Sequence, residues 1–200
     1  MDSIGYLCEV ANRLKLKPVV VCTALVYWRR FDGDEHDLVA GLACLFLACK
    51  VEESGVHIER LLEESSKVDF TIGGGGGNGE AVQDSRQRLI AKEEVVLKKI
   101  NFDLVAEHAQ PIATAMVMDL GLEPKDQKRV VLYAHQILQD FLANERKYLD
   151  FAAKSLAQAA VSIAIKYFWF VEKRPMGDMP PTLPSNPALE RQMLDKLNNT

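Results

Sequence analysis

Two hundred residues suit one large domain or two small ones, and 48% hydrophobic content is ample for a real core. A net charge of -4 and a pI near 5.6 argue against a surface built to hold nucleic acid, which needs a clustered positive field. The four cysteines (Cys8, Cys22, Cys44, Cys49) form no C-x-x-C pair and lie in apolar helical patterns, as buried reduced thiols of an intracellular protein would. No signal peptide, transit peptide or membrane span is recognisable, Asp2 and Ser3 following Met1 directly, so a soluble intracellular protein is expected.

In chain order the pattern is helical almost throughout, with no strand pattern. Ile4, Leu7, Cys8, Ala11 and Leu14 recur at helical spacing, which starts the first helix almost at Met1. Pro18 opens a second helix at its first position, and Val19, Cys22, Val26 and Phe31 continue it. Asp32-Gly33-Asp34 makes a turn, and Asp34, Glu35 and Asp37 suit the positive N-terminus of the helix that follows.

That third helix is apolar on every side from Leu38 to Cys49, so it has no solvent face and must be enclosed by other elements. It is too short to cross a bilayer, so what encloses it is protein. Gly41, Cys44 and Ala48 place small side chains on one stripe where a neighbouring backbone can come close. Lys50, with Glu52 and Glu53 just beyond, must emerge where this helix ends. Its plainest role is to snorkel and neutralise the helix C-terminus.

A short helix from His57 to about Ser65 comes next, then a stretch from Thr71 to Gly79 with five consecutive glycines, expected to be a mobile loop. Helical order resumes near Asp84 and runs to about Lys99, with Leu89, Val96, Leu97 and Ile100 as its apolar face. Pro111 fits the first turn of a helix that Gly121 ends, and Pro124 opens another carrying Val130, Val131, Ala134, Ile137, Leu138 and Phe141. Ala152 to about Val171 is a second apolar helix, Pro175 to Pro187 is proline-rich, and Pro187 to Leu197 suits a last amphipathic helix.

The chain also echoes itself. Val20, Ala24 and Phe31 correspond to Val130, Ala134 and Phe141 at one constant offset. Ala43, Leu47, Ala48 and Lys50 correspond to Ala159, Ile163, Ala164 and Lys166 at a slightly larger one. Each half thus holds a buried small-residue helix ending in lysine, which a duplicated helical bundle explains.

Catalytic signatures are missing. The glycine run lacks the Gly-Lys-Ser/Thr ending of a phosphate loop, and His36, His57, His108 and His135 show no metal-ligand spacing. Glu52-Glu53 and Glu63-Glu64 are adjacent in sequence and point in different directions, as a solvated face does. No Gly-x-Ser-x-Gly elbow occurs, and the cysteines sit in core stripes.

Three linked segments carry a family likeness: Val26-Tyr27-Trp28-Arg29-Arg30-Phe31, Leu45-Phe46-Leu47-Ala48-Cys49-Lys50-Val51-Glu52-Glu53, and Glu93-Glu94-Val95-Val96-Leu97-Lys98-Lys99-Ile100-Asn101-Phe102-Asp103-Leu104. In order and spacing they resemble the cyclin box, over roughly residues 6 to 108. The likeness is strongest to transcription-type cyclins of the K, T, H and C kinds, where a Tyr-x-x-Arg-Phe helix and an Ala-x-Lys-x-Glu-Glu ending are usual. Glu107-His108 is similar to the T and K kinds.

The resemblance implies an all-α protein of two consecutive five-helix cyclin-box bundles, residues 1–108 with a flexible loop at 71–83, and residues 109–200 with a proline-rich C-terminal segment. It implies a non-catalytic subunit, without cofactor or metal, that binds and activates a cyclin-dependent kinase as a heterodimer. A kinase phosphorylating the RNA polymerase II C-terminal domain is the expected partner, with further transcription-machinery proteins, no membrane and no direct nucleic-acid contact. The nucleus is the expected location, with the cytoplasm as a second one. In cyclins the lysine ending the central helix and a glutamate early in the fifth helix bond to the kinase near its mobile helix; by motif these are Lys50 and Glu93. Apolar positions matching the family's kinase contacts are Val51, Leu97, Phe102 and Leu104, of which Val51 and Leu97 also suit an ordinary core.

Two alternatives stand beside this one. One is a cell-cycle cyclin, although Ser3-Ile4-Gly5-Tyr6-Leu7 does not match the Met-Arg-x-Ile-Leu docking motif, which argues against that way of recruiting substrates. A cyclin-fold transcription factor of the factor IIB type, gripping DNA and polymerase, needs a basic surface. The helix that usually precedes the box has no counterpart before Ser3, and the fourth helix of the second repeat is hard to place among Pro180, Pro181 and Pro184.

Overall fold

The computed structural model describes residues 1–34, 36–69, 79–175, 177, 179–180 and 183–198, with backbone alone at 79–82. All regular structure among these residues is helical, and the chain divides into two units, Met1–Ala106 and Glu107–Thr200. Thr71 to Asn78, most of the expected glycine loop, lie outside the described residues.

The first unit contains α1 (Ser3–Arg13), α2 (Pro18–Phe31), α3 (Leu38–Val51), α4 (Ile58–Val68) and α5 (Gly79–Lys99). Local chemistry sets the starts. The carboxylates of Asp2 and Asp37 accept hydrogen bonds from the amides of Gly5 and Ala40, each at 2.9 Å, caps typically worth ~1 kcal/mol. Pro18 stands in the first turn of α2, where its missing N–H costs nothing. α5 opens at Gly79 rather than near Asp84, because Glu80, Ala81 and Gln83 are good helix formers.

The ends are less conventional. α1, α3 and α5 each close with paired bonds, as in Ser54 N–H to the Cys49 carbonyl at 2.9 Å and Glu53 N–H to the Lys50 carbonyl at 3.2 Å. Lys15, Glu53 and Asn101 take the left-handed backbone that glycine usually supplies at such closures.

α3 packs against α1, α2, α4 and α5, and every residue from Ala40 to Cys49 is buried. The small residue at its start has a specific neighbour: a Cβ on Gly41 would stand 3.1 Å from the Ser3 carbonyl oxygen and 3.3 Å from Ser3 Cβ. Glycine therefore lets the first turn of α1 lie directly on α3.

The second unit contains α6 (Ala109–Met118), α7 (Pro124–Asn144), α8 (Ala153–Val171) and α9 (Pro187–Asn198), with a 3-10 turn at Tyr148–Asp150. α8 packs against α6, α7 and α9. The echo in the sequence has a spatial counterpart. Val130, Ala134 and Phe141 of α7 are buried as Val20, Ala24 and Phe31 of α2 are, and Ala159, Ile163 and Ala164 of α8 as Ala43, Leu47 and Ala48 of α3. Among the described residues this unit has four α-helices where the first has five. No described residue between Val171 and Pro187 is α-helical, and prolines 175, 180 and 184 withhold backbone donors there.

Two carboxylates tie α9 down. Glu145 accepts from the Lys147 amide and from Gln192 Nε2, both at 3.0 Å, with Lys196 Nζ at 3.5 Å. Glu190 accepts from Lys166 Nζ at 2.7 Å and from the Ser185 hydroxyl. Burial pushes both carboxyls up, but these donors outweigh it and hold both below the ordinary carboxylate value.

Gly41→Val should lower the stability of the chain by ~1–3 kcal/mol through overpacking against Ser3. A urea midpoint equal to wild type would show that α1 does not rest there. For acid, the sign follows from the depressed carboxyls: the unfolded chain binds more protons, so their stabilisation is present above the ordinary carboxylate value and lost as pH falls through the folded values. Thermal melts across that range should decline more steeply for wild type than for a Glu145→Gln, Glu190→Gln double variant; parallel curves would contradict it.

Candidate functional site

α3 carries no charge between Asp37 and Lys50, so its electrostatics are concentrated at its ends. At the start, Asp37 Oδ1 caps the helix while Oδ2 meets Lys92 Nζ at 2.9 Å. At the finish, Lys50 Nζ lies 2.5 and 2.7 Å from the two carboxylate oxygens of Glu93. Lys92 and Glu93 are neighbours on α5, so adjacent residues of one helix grip opposite ends of another. The signs suit the helix dipole, negative at the N-terminus and positive at the C-terminus.

The Lys50–Glu93 pair is lopsided. Glu93 falls at helical spacing with the buried residues Leu89, Val96 and Ile100, and its side chain is 9% exposed; that of Lys50 is 48% exposed. The ammonium also stands 4.2 Å from the centre of the Phe46 ring, a favourable cation–π contact. Two of its three N–H donors go to Glu93, which among the described residues leaves one for an incoming acceptor. The lysine therefore does more than snorkel: it is a cation fixed at both stem and head.

Apolar residues flank it. Val51 is 39% exposed, so the ordinary-core reading of that residue fails, while Leu97, a turn beyond Glu93, is half-buried. Phe102 is 64% exposed and Leu104 half-buried. Asn101 and Phe102 both take positive φ (54° and 56°), a conformation costing non-glycine residues roughly 1–2 kcal/mol each. A phenylalanine held outward at such cost needs support from elsewhere.

The support comes from α2. Tyr27 Oη donates to the Leu104 carbonyl at 2.8 Å, and the Arg30 guanidinium donates to the carbonyls of Asp103 at 2.8 Å and Val105 at 2.7 Å. Lys99 Nζ reaches the Asp32 carbonyl at 3.1 Å and stands 4.7 Å from the centre of the Phe31 ring. The Tyr-x-x-Arg-Phe motif is thus a bracket for the segment that displays Phe102. Burial, with the Glu52 charge adding, pushes the Tyr27 phenol up to about 12, so it remains a donor at neutral pH. Sequence reading recognised the motif but not this use of it, and missed the Asp37–Lys92 pair. A tyrosine and an arginine three residues apart share a helix face, which was the available signal.

Such an arrangement suits recognition: a fixed cation with a spare donor, rimmed by exposed apolar side chains, offers both a polar anchor and surface to bury. Comparison with known proteins agrees with the architecture. The family model described as "Cyclin, N-terminal domain" matches residues 2–105. The chain belongs to the cyclin family, whose regulatory domains are a non-catalytic class.

Its relatives include transcription-type cyclins. It is 31% identical over 124 residues to Cyclin-C1-2 of Arabidopsis thaliana, covering 59% of this chain and 46% of that protein. It is 25% identical over 175 residues to cyclin pch1 of Schizosaccharomyces pombe, covering 81% and 48%. To Cyclin-K of Homo sapiens it is 25% identical over 148 residues, covering 70% and 24%. The chain thus spans less than half the length of each of these three relatives. A chain in the structure of the CAK complex from Chaetomium thermophilum bound to ATP-γ-S shares the fold, with a TM-score of 0.60, 16% identity, and coverage of 98% of this chain and 58% of that one. Among the described residues no helix is long and apolar enough to cross a membrane.

Arg30→Ala should free the displayed segment while leaving the helices intact. The amides of Phe102 and Asp103, bonded to the carbonyls of Leu97 and Ile100, should exchange about tenfold faster, equivalent to ~1.4 kcal/mol. Exchange unchanged at both would mean that Arg30 supports nothing there.

Proposed function

We propose that this chain binds a cyclin-dependent kinase through the face formed by Lys50, Glu93, Val51, Leu97, Phe102 and Leu104, and holds that kinase active. The observation that carries the reading is the Lys50–Glu93 pair, closed on its carboxylate side and open on its ammonium side. A switchable kinase needs a rigid surface that favours one orientation of a movable helix, because a ligand shifts such an equilibrium only through its differential contacts. A cation anchored by α3 and α5 is rigid in this sense. The likeness to transcription-type cyclins supports a kinase that phosphorylates the RNA polymerase II C-terminal domain, and action in the nucleus beside other transcription proteins is part of the same proposal.

The test is a calorimetric titration against a panel of recombinant transcription-type cyclin-dependent kinases, followed by phosphorylation of a polymerase C-terminal-domain peptide. Wild type should bind one kinase and stimulate it. Truncating one partner of an interfacial charge pair typically costs about 2–5 kcal/mol, so Lys50→Ala should weaken binding by tenfold or more. That variant also strands the Glu93 carboxylate in the core, which should cost ~1–3 kcal/mol of stability. Adding Glu93→Gln should recover much of the stability but not the affinity. Unchanged kinase affinity in both variants would sink the proposal.

A further inference from the structure

The first unit's constellation recurs in the second. Lys166 directly follows the unbroken buried run Ala159–Ile165 of α8 as Lys50 follows that of α3, and its ammonium meets Glu190 of α9 at 2.7 Å as Lys50 meets Glu93. The neighbours match as well. Tyr167 follows Lys166 as Val51 follows Lys50, and Leu194 stands four residues after Glu190 as Leu97 does after Glu93. The lopsidedness is also repeated, with side-chain exposures of 49% for Lys166 and 14% for Glu190. This likeness rests on residue positions and contacts, so it holds whatever the first unit binds.

The second copy borders a groove of about 490 Å³ between α7, α8 and α9. Tyr133, Ile137, Tyr167, Phe170 and Leu194 supply apolar walls. Phe170 is 80% exposed and Tyr167 51%, with the Tyr167 ring set edge-on to Tyr133 at 5.1 Å. Large aromatic side chains left this open beside a concavity mark a surface suited to a partner.

The charges say what kind. Lys166 is already neutralised by Glu190, whereas the Asp140 carboxylate, exposed on the α7 wall of the groove, has no ion pair or hydrogen bond among the described residues. Partial desolvation by the groove raises that carboxyl above its ordinary value, and an unpaired negative charge at the edge of apolar walls draws an incoming cation. The secondary structure says what form. Every wall is helix, with no strand edge to pair with an extended peptide, so an incoming segment must satisfy its own backbone. A helix does so.

We propose that the α7–α8–α9 groove docks an amphipathic helix from a partner protein, its apolar stripe against Tyr167, Phe170 and Leu194 and a lysine or arginine meeting Asp140. The kinase reading concerns the other unit, and neither proposal requires the other.

The probe is a displayed library of helices about four turns long, panned against the full chain and followed by fluorescence anisotropy on the enriched peptides. Enriched sequences should combine an apolar stripe with a basic residue. Asp140→Lys should weaken their binding at least about tenfold. Phe170→Ser, at so exposed a position, should do the same without loss of helicity by circular dichroism, whereas Lys50→Ala should leave peptide affinity unchanged. Peptides without a basic residue, or binding indifferent to both groove variants, would overturn the proposal. So would a concentration-dependent dimer in sedimentation that Phe170→Ser abolishes, since the occupant would then be a second copy. Kinase affinity in the groove variants should equal wild type, so either proposal can fail while the other stands.

Discussion

The structure of the first unit depends on a helix that cannot touch water along its length and therefore shows its charges only at its ends. α3 is buried from Ala40 to Cys49 by four other helices, and α5 meets Asp37 and Lys50 with two consecutive residues of opposite sign. Each end is favourable by itself, through a cap at Asp37 and a cation near the last carbonyls at Lys50. Joined through α5, they also restrict how α5 can slide along α3. The position of Glu93, and of Leu97 a turn later, is fixed by the core rather than by the surface it serves.

A second device displays Phe102. The α5 terminus turns through two non-glycine left-handed residues, and α2 holds the strained segment by three bonds to carbonyls 103, 104 and 105. Surface recognition and core packing are therefore linked through Tyr27 and Arg30. Neither residue need touch a partner to alter what the partner sees.

Much of this was legible in the sequence, and the reasons are particular. The unbroken apolar run at Leu38–Cys49 announced the central helix, since it is longer than an ordinary buried strand and has no polar face. Pro18, Pro124 and Pro187 marked helix starts. The helix ends were harder to read, because Lys15, Glu53, Asn101 and Lys173 occupy left-handed positions where a reader looks for glycine. Lys50 stood out at the end of the apolar run, but Glu93 was found through resemblance rather than pattern, because a glutamate in an apolar stripe looks like an interruption until its partner is seen. The Asp37–Lys92 bond joins residues far apart in sequence, and no local spacing foretells it. The internal echo reached further than the matched residues: it extended in space to a second lysine–glutamate pair whose glutamate, Glu190, no sequence match had singled out.

The central claim is that the cationic end of α3 and its apolar rim face the kinase. Photo-cross-linking tests it most directly, with benzoylphenylalanine placed in turn at residues 51, 102 and 170 and the products identified by mass spectrometry after mixing with the bound kinase. The account predicts kinase adducts from positions 51 and 102 and none from 170. Adducts from 170 with none from 51 or 102 would contradict it.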